Sequence, residues 1–120
     1  MAEILVAEDN PLNFELVRDI LEADGHHVFW ARDGQEAVDE SRQRVFDLVL
    51  LDLHMPRLDG LQVLEAIRAE DGPKRVKVVV VSADAMGGVS ETVLGAGADG
   101  YLTKPLEIQT LLAEVERQLA

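Results

Sequence analysis

Hydrophobic and polar positions in this chain follow two alternating rhythms. Short runs that are apolar throughout give way to longer stretches in which apolar residues recur every three or four positions. The clearest run is Leu48-Val49-Leu50-Leu51, apolar on both alternating faces. A strand carries that pattern only when helices cover both sides of its sheet, as in a parallel α/β domain. The run stops at Asp52, His54-Met55-Pro56-Arg57 turns the chain, and Asp59-Gly60 opens a helical pattern.

The rest of the chain repeats the alternation. Glu3-Ile4-Leu5-Val6-Ala7 reads as a buried strand ending in Glu8-Asp9. Asn10-Pro11 then supplies an N-cap and a proline at the first helical position. Leu12, Leu16, Val17, Ile20 and Leu21 mark one helical face, and Gly25 is the terminator. Val28-Phe29-Trp30-Ala31 is a second strand, with Trp30 read as packing. Asp33-Gly34-Gln35-Glu36 has the form of a capping box, with Glu36 reaching back, and opens a short helix to about Arg44. Leu61, Leu64 and Ile67 mark a third helix that stops at Gly72-Pro73. Val76 to Val81 is the most β-branched run, and it ends at Ser82. The fourth helix is poorly specified, because Gly87, Gly88 and Gly95 interrupt it. Asp99 to Thr103 is a fifth strand, followed by Lys104-Pro105. Ile108, Leu111, Leu112, Val115 and Leu119 outline an amphipathic last helix. The sum is (βα)5, which implies a parallel sheet with helices on both faces and right-handed crossovers. Nothing remains over for a second domain, so residues 1–120 read as one.

Composition narrows the function classes. There is no cysteine, which removes disulfides, zinc thiolates and thiol nucleophiles. The formal charge of −12 has the wrong sign for phosphate neutralisation, so direct nucleic-acid binding is not expected. No basic-plus-apolar leader and no apolar run of membrane-spanning length is visible, so a cytoplasmic location without membrane contact is the default expectation.

Candidate chemistry emerges when the strand ends are compared. Strand one ends at Glu8-Asp9, strand three at Asp52, strand four at Ser82 and strand five at Thr103-Lys104. In a parallel sheet these ends share one edge, where open α/β sheets place their ligands. Each residue alone has a dull explanation as a loop acid, a turn serine or a surface lysine. Their coincidence at one edge is harder to dismiss. Two carboxylates ~4 Å apart repel by about 4 kcal/mol at an effective dielectric near 20. One ammonium cannot balance three of them, whereas a divalent cation together with Lys104 can. Oxygen donors without His or Cys suit a hard ion such as Mg²⁺, which keeps places open for phosphate oxygens. The set therefore reads as a phosphoryl-handling site. Ser82 could in principle be the nucleophile, but no histidine lies near it in sequence to act as base. An aspartate is already ionised at neutral pH, with a reference pKa of about 3.9. Asp52 can therefore attack a phosphoryl donor directly and form an aspartyl phosphate.

These motifs together, Glu8-Asp9, Asp52 in DLHMPRLDG, Ser82-Ala83 and Lys104-Pro105, resemble the receiver domain of bacterial two-component response regulators over essentially the whole chain. The opening EDNPLN is most similar to stand-alone regulators and to hybrid-kinase receivers. The resemblance implies a flavodoxin-like fold with a five-stranded sheet of order 2-1-3-4-5. It implies that Asp52 accepts a phosphoryl group from a phosphohistidine on a sensor histidine kinase or a histidine phosphotransfer protein. Mg²⁺ would be held by Asp9, Asp52 and the backbone carbonyl of His54, with Glu8 acting mostly through metal-bound water. Lys104 would pair with the acidic pocket and then with the phosphoryl group. Ser82 and Tyr101 would be the switch pair, and the Lys104–Pro105 bond would be cis. His54 and Asp84 would tune phosphoryl lifetime. Helix four, strand five and helix five would present the output face to a downstream protein target, and the glycines leave open whether helix four is loosely held or fixed by packing. On this reading the chain is a switch that assists its own phosphorylation rather than a conventional turnover enzyme.

Other readings compete. A phosphatase of the haloacid dehalogenase type wants a second acid two residues after the nucleophile, where this chain has His54. A flavodoxin-like binding module would need a phosphate-cradling loop where Glu8-Asp9-Asn10-Pro11 stands. A receiver-like scaffold that takes no phosphate would not need the complete residue set.

Overall fold

A computed structural model describes residues 2–55, 59–70, 75–83 and 89–120. The chain runs β1 (Glu3–Ala7), α1 (Pro11–Ala23), β2 (His27–Ala31), α2 (Gly34–Gln43), β3 (Leu48–Asp52), α3 (Gly60–Ala69), β4 (Lys77–Ser82), α4 (Val89–Gly95), β5 (Gly100–Thr103) and α5 (Ile108–Leu119). All neighbouring strands pair in parallel, in the order β2-β1-β3-β4-β5. The expected flavodoxin-like (βα)5 architecture is therefore what the chain adopts. Gly87, Gly88, Gly72-Pro73 and Asp84 lie outside the described residues.

The both-faced apolar pattern of β1, β3 and β4 is explained by two separate cores. On one face Leu5, Val49, Leu51, Val78 and Val80 meet Val38 of α2, Val63, Leu64 and Ile67 of α3 and Val93 of α4. On the other, Ile4, Val6, Leu48, Leu50, Val79 and Val81 meet Phe14, Val17 and Leu21 of α1 and Leu111 and Val115 of α5. Each fully buried aliphatic side chain contributes about 1.5–3 kcal/mol. That anchors the three central strands and leaves their ends free for chemistry.

Several local expectations hold and some do not. Asn10 caps α1, its side chain accepting from the Leu12 and Asn13 N–H groups, with Pro11 at the first helical position. At the other end His26 N–H reaches the Leu21 carbonyl, Gly25 N–H reaches that of Glu22, and Gly25 has φ +92°. This is the Schellman arrangement that glycine favours. Leu12 and Leu16, expected on the buried face of α1, are 74% and 54% exposed, and Phe14 occupies the core instead. Helix one is apolar on two faces, so periodicity alone could not choose between them. Ile108 of α5 is likewise exposed, while the polar Gln118 is buried, donating to the Asp99 carbonyl and to Glu114. Asp33 does cap α2, but Glu36 reaches one residue further back than a capping box requires, accepting from the Arg32 N–H. The reciprocal box forms at α3, between Asp59 and Gln62.

Candidate functional site

Strand register assembles the site. Ala7 sits opposite Leu51, Leu51 opposite Val80, Asp52 opposite Val81, and Ser82 opposite Thr103. The next residues along β1 and β5 are Glu8 and Lys104, so four strands deliver their end groups to one edge. Glu8 is 6% exposed and Asp52 5%, whereas Asp9 is open to solvent. One carboxylate oxygen from each of the three lies within 4.8 Å of the others. Lys104 Nζ donates to Asp52 Oδ2 at 2.8 Å and to Glu8 Oε1 at 3.2 Å. The His54 N–H donates to Asp52 Oδ1 at 3.1 Å, and the Asn10 N–H to Glu8 Oε2 at 3.3 Å. The Glu8 and Asp52 carboxylates thus sit in a fixed frame of donors.

Electrostatics follow from that packing. Burial, then the hydrogen bond and negative charge of Asp52, push the Glu8 carboxyl up to about 7, against smaller opposing pulls from the Asn10 N–H and Lys104. Burial works against the Lys104 ammonium, but the hydrogen bond and charge of Asp52, then those of Glu8, outweigh it and raise its pKa. The site therefore favours a cationic Lys104 and a proton on Glu8 near neutral pH. An all-oxygen donor set of this spacing fits a hard divalent cation such as Mg²⁺.

The remaining sequence candidates are placed as follows. Ser82 is fully buried at the end of β4, and its carbonyl accepts the Lys104 N–H at 2.9 Å. Tyr101 is half-buried on β5, opposite Val80, packed against the core that α2, α3 and α4 cover. The His54 side chain is exposed beside Asp52. The Lys104–Pro105 peptide is cis. Asp84 lies outside the described residues.

Two neighbours of the site escaped the sequence reading. Trp30 donates its indole N–H to the Glu8 carbonyl at 2.8 Å; a ring nitrogen at the end of an edge strand was the available signal. Gly60, at the start of α3, packs against the backbone of Asp52 and Leu53, its N–H bonded to the Leu53 carbonyl at 2.8 Å. Beside the carboxylates lies a groove of about 380 Å³ between α1 and the β5–α5 connection. Asn13, Leu16, Val17, Ala83, Pro105 and Leu106 line it, with Glu8 and Lys104 at its site end. No helix among the described residues is long and apolar enough to cross a membrane.

Comparison with known proteins accords with this architecture. The family model described as the response regulator receiver domain matches residues 4–116. The polar-differentiation response regulator DivK of Brucella anthropi is 33% identical over 97% of this chain and 94% of its own. The receiver domain of sensor histidine kinase PA1611 from Pseudomonas aeruginosa, solved with a magnesium ion coordinated in its active-site cleft, is 34% identical. It superposes with a TM-score of 0.90 over 98% of this chain and 97% of that one. The Vibrio cholerae chemotaxis protein CheY4 gives a TM-score of 0.92 at 28% identity, covering 99% of both chains. The strand order, the acidic cluster bridged by Lys104 and the match over nearly the whole length agree: this chain belongs to the response regulator receiver domains.

Proposed function

We propose that this receiver domain takes a phosphoryl group onto Asp52 from a phosphohistidine carried by a sensor histidine kinase or a histidine phosphotransfer protein. The observation that carries the reading is the Lys104 ammonium held between the buried carboxylates of Asp52 and Glu8, with Asp9 beside them. Such a cluster is costly unless it serves a ligand that brings positive charge or accepts it.

Asp9 and Asp52 would hold Mg²⁺ together with the His54 carbonyl, and Glu8 would act through metal-bound water. When bound, Mg²⁺ supplies positive charge that offsets the phosphoryl oxygens. The Asp52 carboxylate attacks phosphorus as the P–N bond of the phosphoimidazole breaks, and the departing nitrogen keeps the electron pair. Lys104, already donating to Asp52 at 2.8 Å, follows the charge to the phosphoryl oxygens. The groove beside Lys104, with Leu16 exposed on its rim, suits an apolar helix face that presents the phosphohistidine.

Phosphorylation adds roughly −1.5 to −2 charges. Ser82 then donates its hydroxyl to a phosphoryl oxygen and Tyr101 turns inward, a population shift that a downstream protein reads at the α4–β5–α5 face. His54 and Asp84 set the hydrolysis rate by controlling the attacking water. The test is intact mass after exposure to a phosphohistidine donor, with and without Mg²⁺, for wild type and Asp52→Asn. The expected result is a Mg²⁺-dependent gain of one phosphoryl group that the variant lacks. A gain persisting in Asp52→Asn would reassign the acceptor, and no gain by wild type would reject the phosphoacceptor reading.

A further inference from the structure

We propose that Trp30 is a positioning residue for the acidic pocket, its indole N–H holding the Glu8–Asp9 turn in the orientation that receives a divalent cation. The inference rests on the metal reading given above.

Paired register between β1 and β2 ends at Ala7 and Ala31. Glu8 lies beyond it, yet both its backbone polar groups are still held by β2. Its N–H donates to the Ala31 carbonyl at 3.0 Å, and its carbonyl accepts from Trp30 Nε1 at 2.8 Å. That carbonyl shares one rigid peptide plane with the Asp9 nitrogen. Anchoring it therefore sets the direction in which the chain leaves toward Asp9. Asp9 needs this help, because its side chain is exposed whereas Glu8 and Asp52 are packed. A ligand that must be ordered when the cation arrives costs affinity, and a pre-set turn lowers that cost.

The indole is itself fixed. It stacks on Phe14 of α1 with ring centroids 4.6 Å apart and planes 9° apart. The Arg32 guanidinium carbon lies 5.0 Å from the Trp30 ring centroid, and that of Arg18 lies 5.7 Å from the Phe14 ring. Packing on Phe14 would be served by phenylalanine equally well. The ring nitrogen does what phenylalanine cannot, and its partner is the backbone of a site residue. Groups outside the ligand set that orient the ligands tune metal sites in this way.

The test compares Mg²⁺ titrations, followed by amide NMR shifts, of wild type, Trp30→Phe and Val115→Ala. Trp30→Phe keeps a ring against Phe14 and removes the donor. Val115→Ala loosens the α5 side of the core on which Phe14 and Trp30 pack, leaves the indole donor in place and controls for lost stability. All three are measured well below their unfolding temperatures. Trp30→Phe is expected to raise the Mg²⁺ dissociation constant about fivefold, the effect of one neutral hydrogen bond, with Val115→Ala staying within about twofold of wild type. A Trp30→Phe constant within about twofold of wild type would overturn the proposal, as would equal weakening by Val115→Ala. Absence of saturable Mg²⁺ binding by wild type would overturn the metal reading itself, and this inference with it.

Discussion

Replacing Gly60 by alanine should destabilise the fold, although local helix preference points the other way. A Cβ built on Gly60 would lie 2.5 Å from Leu53 Cα, 2.7 Å from the Asp52 carbonyl oxygen and 3.1 Å from that of Leu53. Carbon atoms pack best at about 3.5–4.0 Å, so α3 must retreat from β3 or the strand end must bend. All three obstacles are backbone, which cannot swing aside. Overpacking costs typically about 1–3 kcal/mol, and backbone obstacles place this case at the upper end. Alanine's helix advantage over glycine, at most about 1 kcal/mol and less at a first-turn position, offsets part of it. A net loss of about 2 kcal/mol remains, which at this chain length lowers the midpoint by roughly 8 °C. The assay is thermal and urea unfolding with EDTA, run alongside two other glycine substitutions. At Gly100 an added Cβ meets Glu114 Oε2 at 2.6 Å and Gln118 Nε2 at 3.0 Å, both side-chain atoms that can move. At Gly95 it meets nothing within 4 Å. The expected stability order is Gly95→Ala at or above wild type, then Gly100→Ala, then Gly60→Ala. A Gly60→Ala protein as stable as wild type would refute the reasoning, because it would mean that β3 and α3 separate at no cost.

Further outcomes follow from the same contacts. Because the Glu8 carboxyl titrates near 7 when folded against an ordinary 4.5, its stabilising contribution is complete below about pH 4.5 and is lost as pH rises to about 7. The loss is about 3 kcal/mol, read as the stability difference between wild type and Glu8→Gln in metal-free urea unfolding; a flat difference across that window would sink the assignment. A Mg²⁺ ion bound beside Glu8 as proposed would disfavour the Glu8 proton, so affinity should strengthen as pH rises toward about 7 and proton release should be visible in calorimetry at pH 6 in buffers of differing ionisation enthalpy. Arg68 donates to the Gly97 and Val76 carbonyls and to Asp99, each at 2.8 Å, and both charged groups of the pair are largely buried. Arg68→Ala should therefore cost about 2–4 kcal/mol in urea unfolding, and a loss under about 0.5 kcal/mol would show that Arg75 alone holds the loop.

Much of the fold was legible because its elements differ in period. Leu48 to Leu51, Val78 to Val81 and Ile4 to Ala7 are apolar on both faces, and each lies in a central strand between two cores. Glu8, Asp52 and Ser82 stood out as candidates for the same reason, since each stands where such a run stops. What escaped was set by tertiary contact. Leu12 and Leu16 satisfy a helical period as well as Phe14 does, and only the position of the sheet decides which face is buried. Trp30 looked like packing because the Glu8 carbonyl it serves is 22 residues away in sequence. The proton affinity of Glu8 depends on burial and on Asp52, neither of which a string of letters displays.

The charge problem posed by the sequence is met in part by the chain's own residues. Three carboxylates against one ammonium suggested that a divalent cation was required for balance. Part of the burden is divided among the residues themselves. Asp9 stays in solvent, where its charge costs little. Lys104 bridges Asp52 and Glu8, and Glu8 can hold a proton near neutral pH. Lys104 and the Glu8 proton thus lessen the repulsion, and a divalent cation beside Asp9 and Asp52 would lessen it further. A cation bound there would be linked to pH through Glu8, and through the shared Lys104 to any charge added at Asp52.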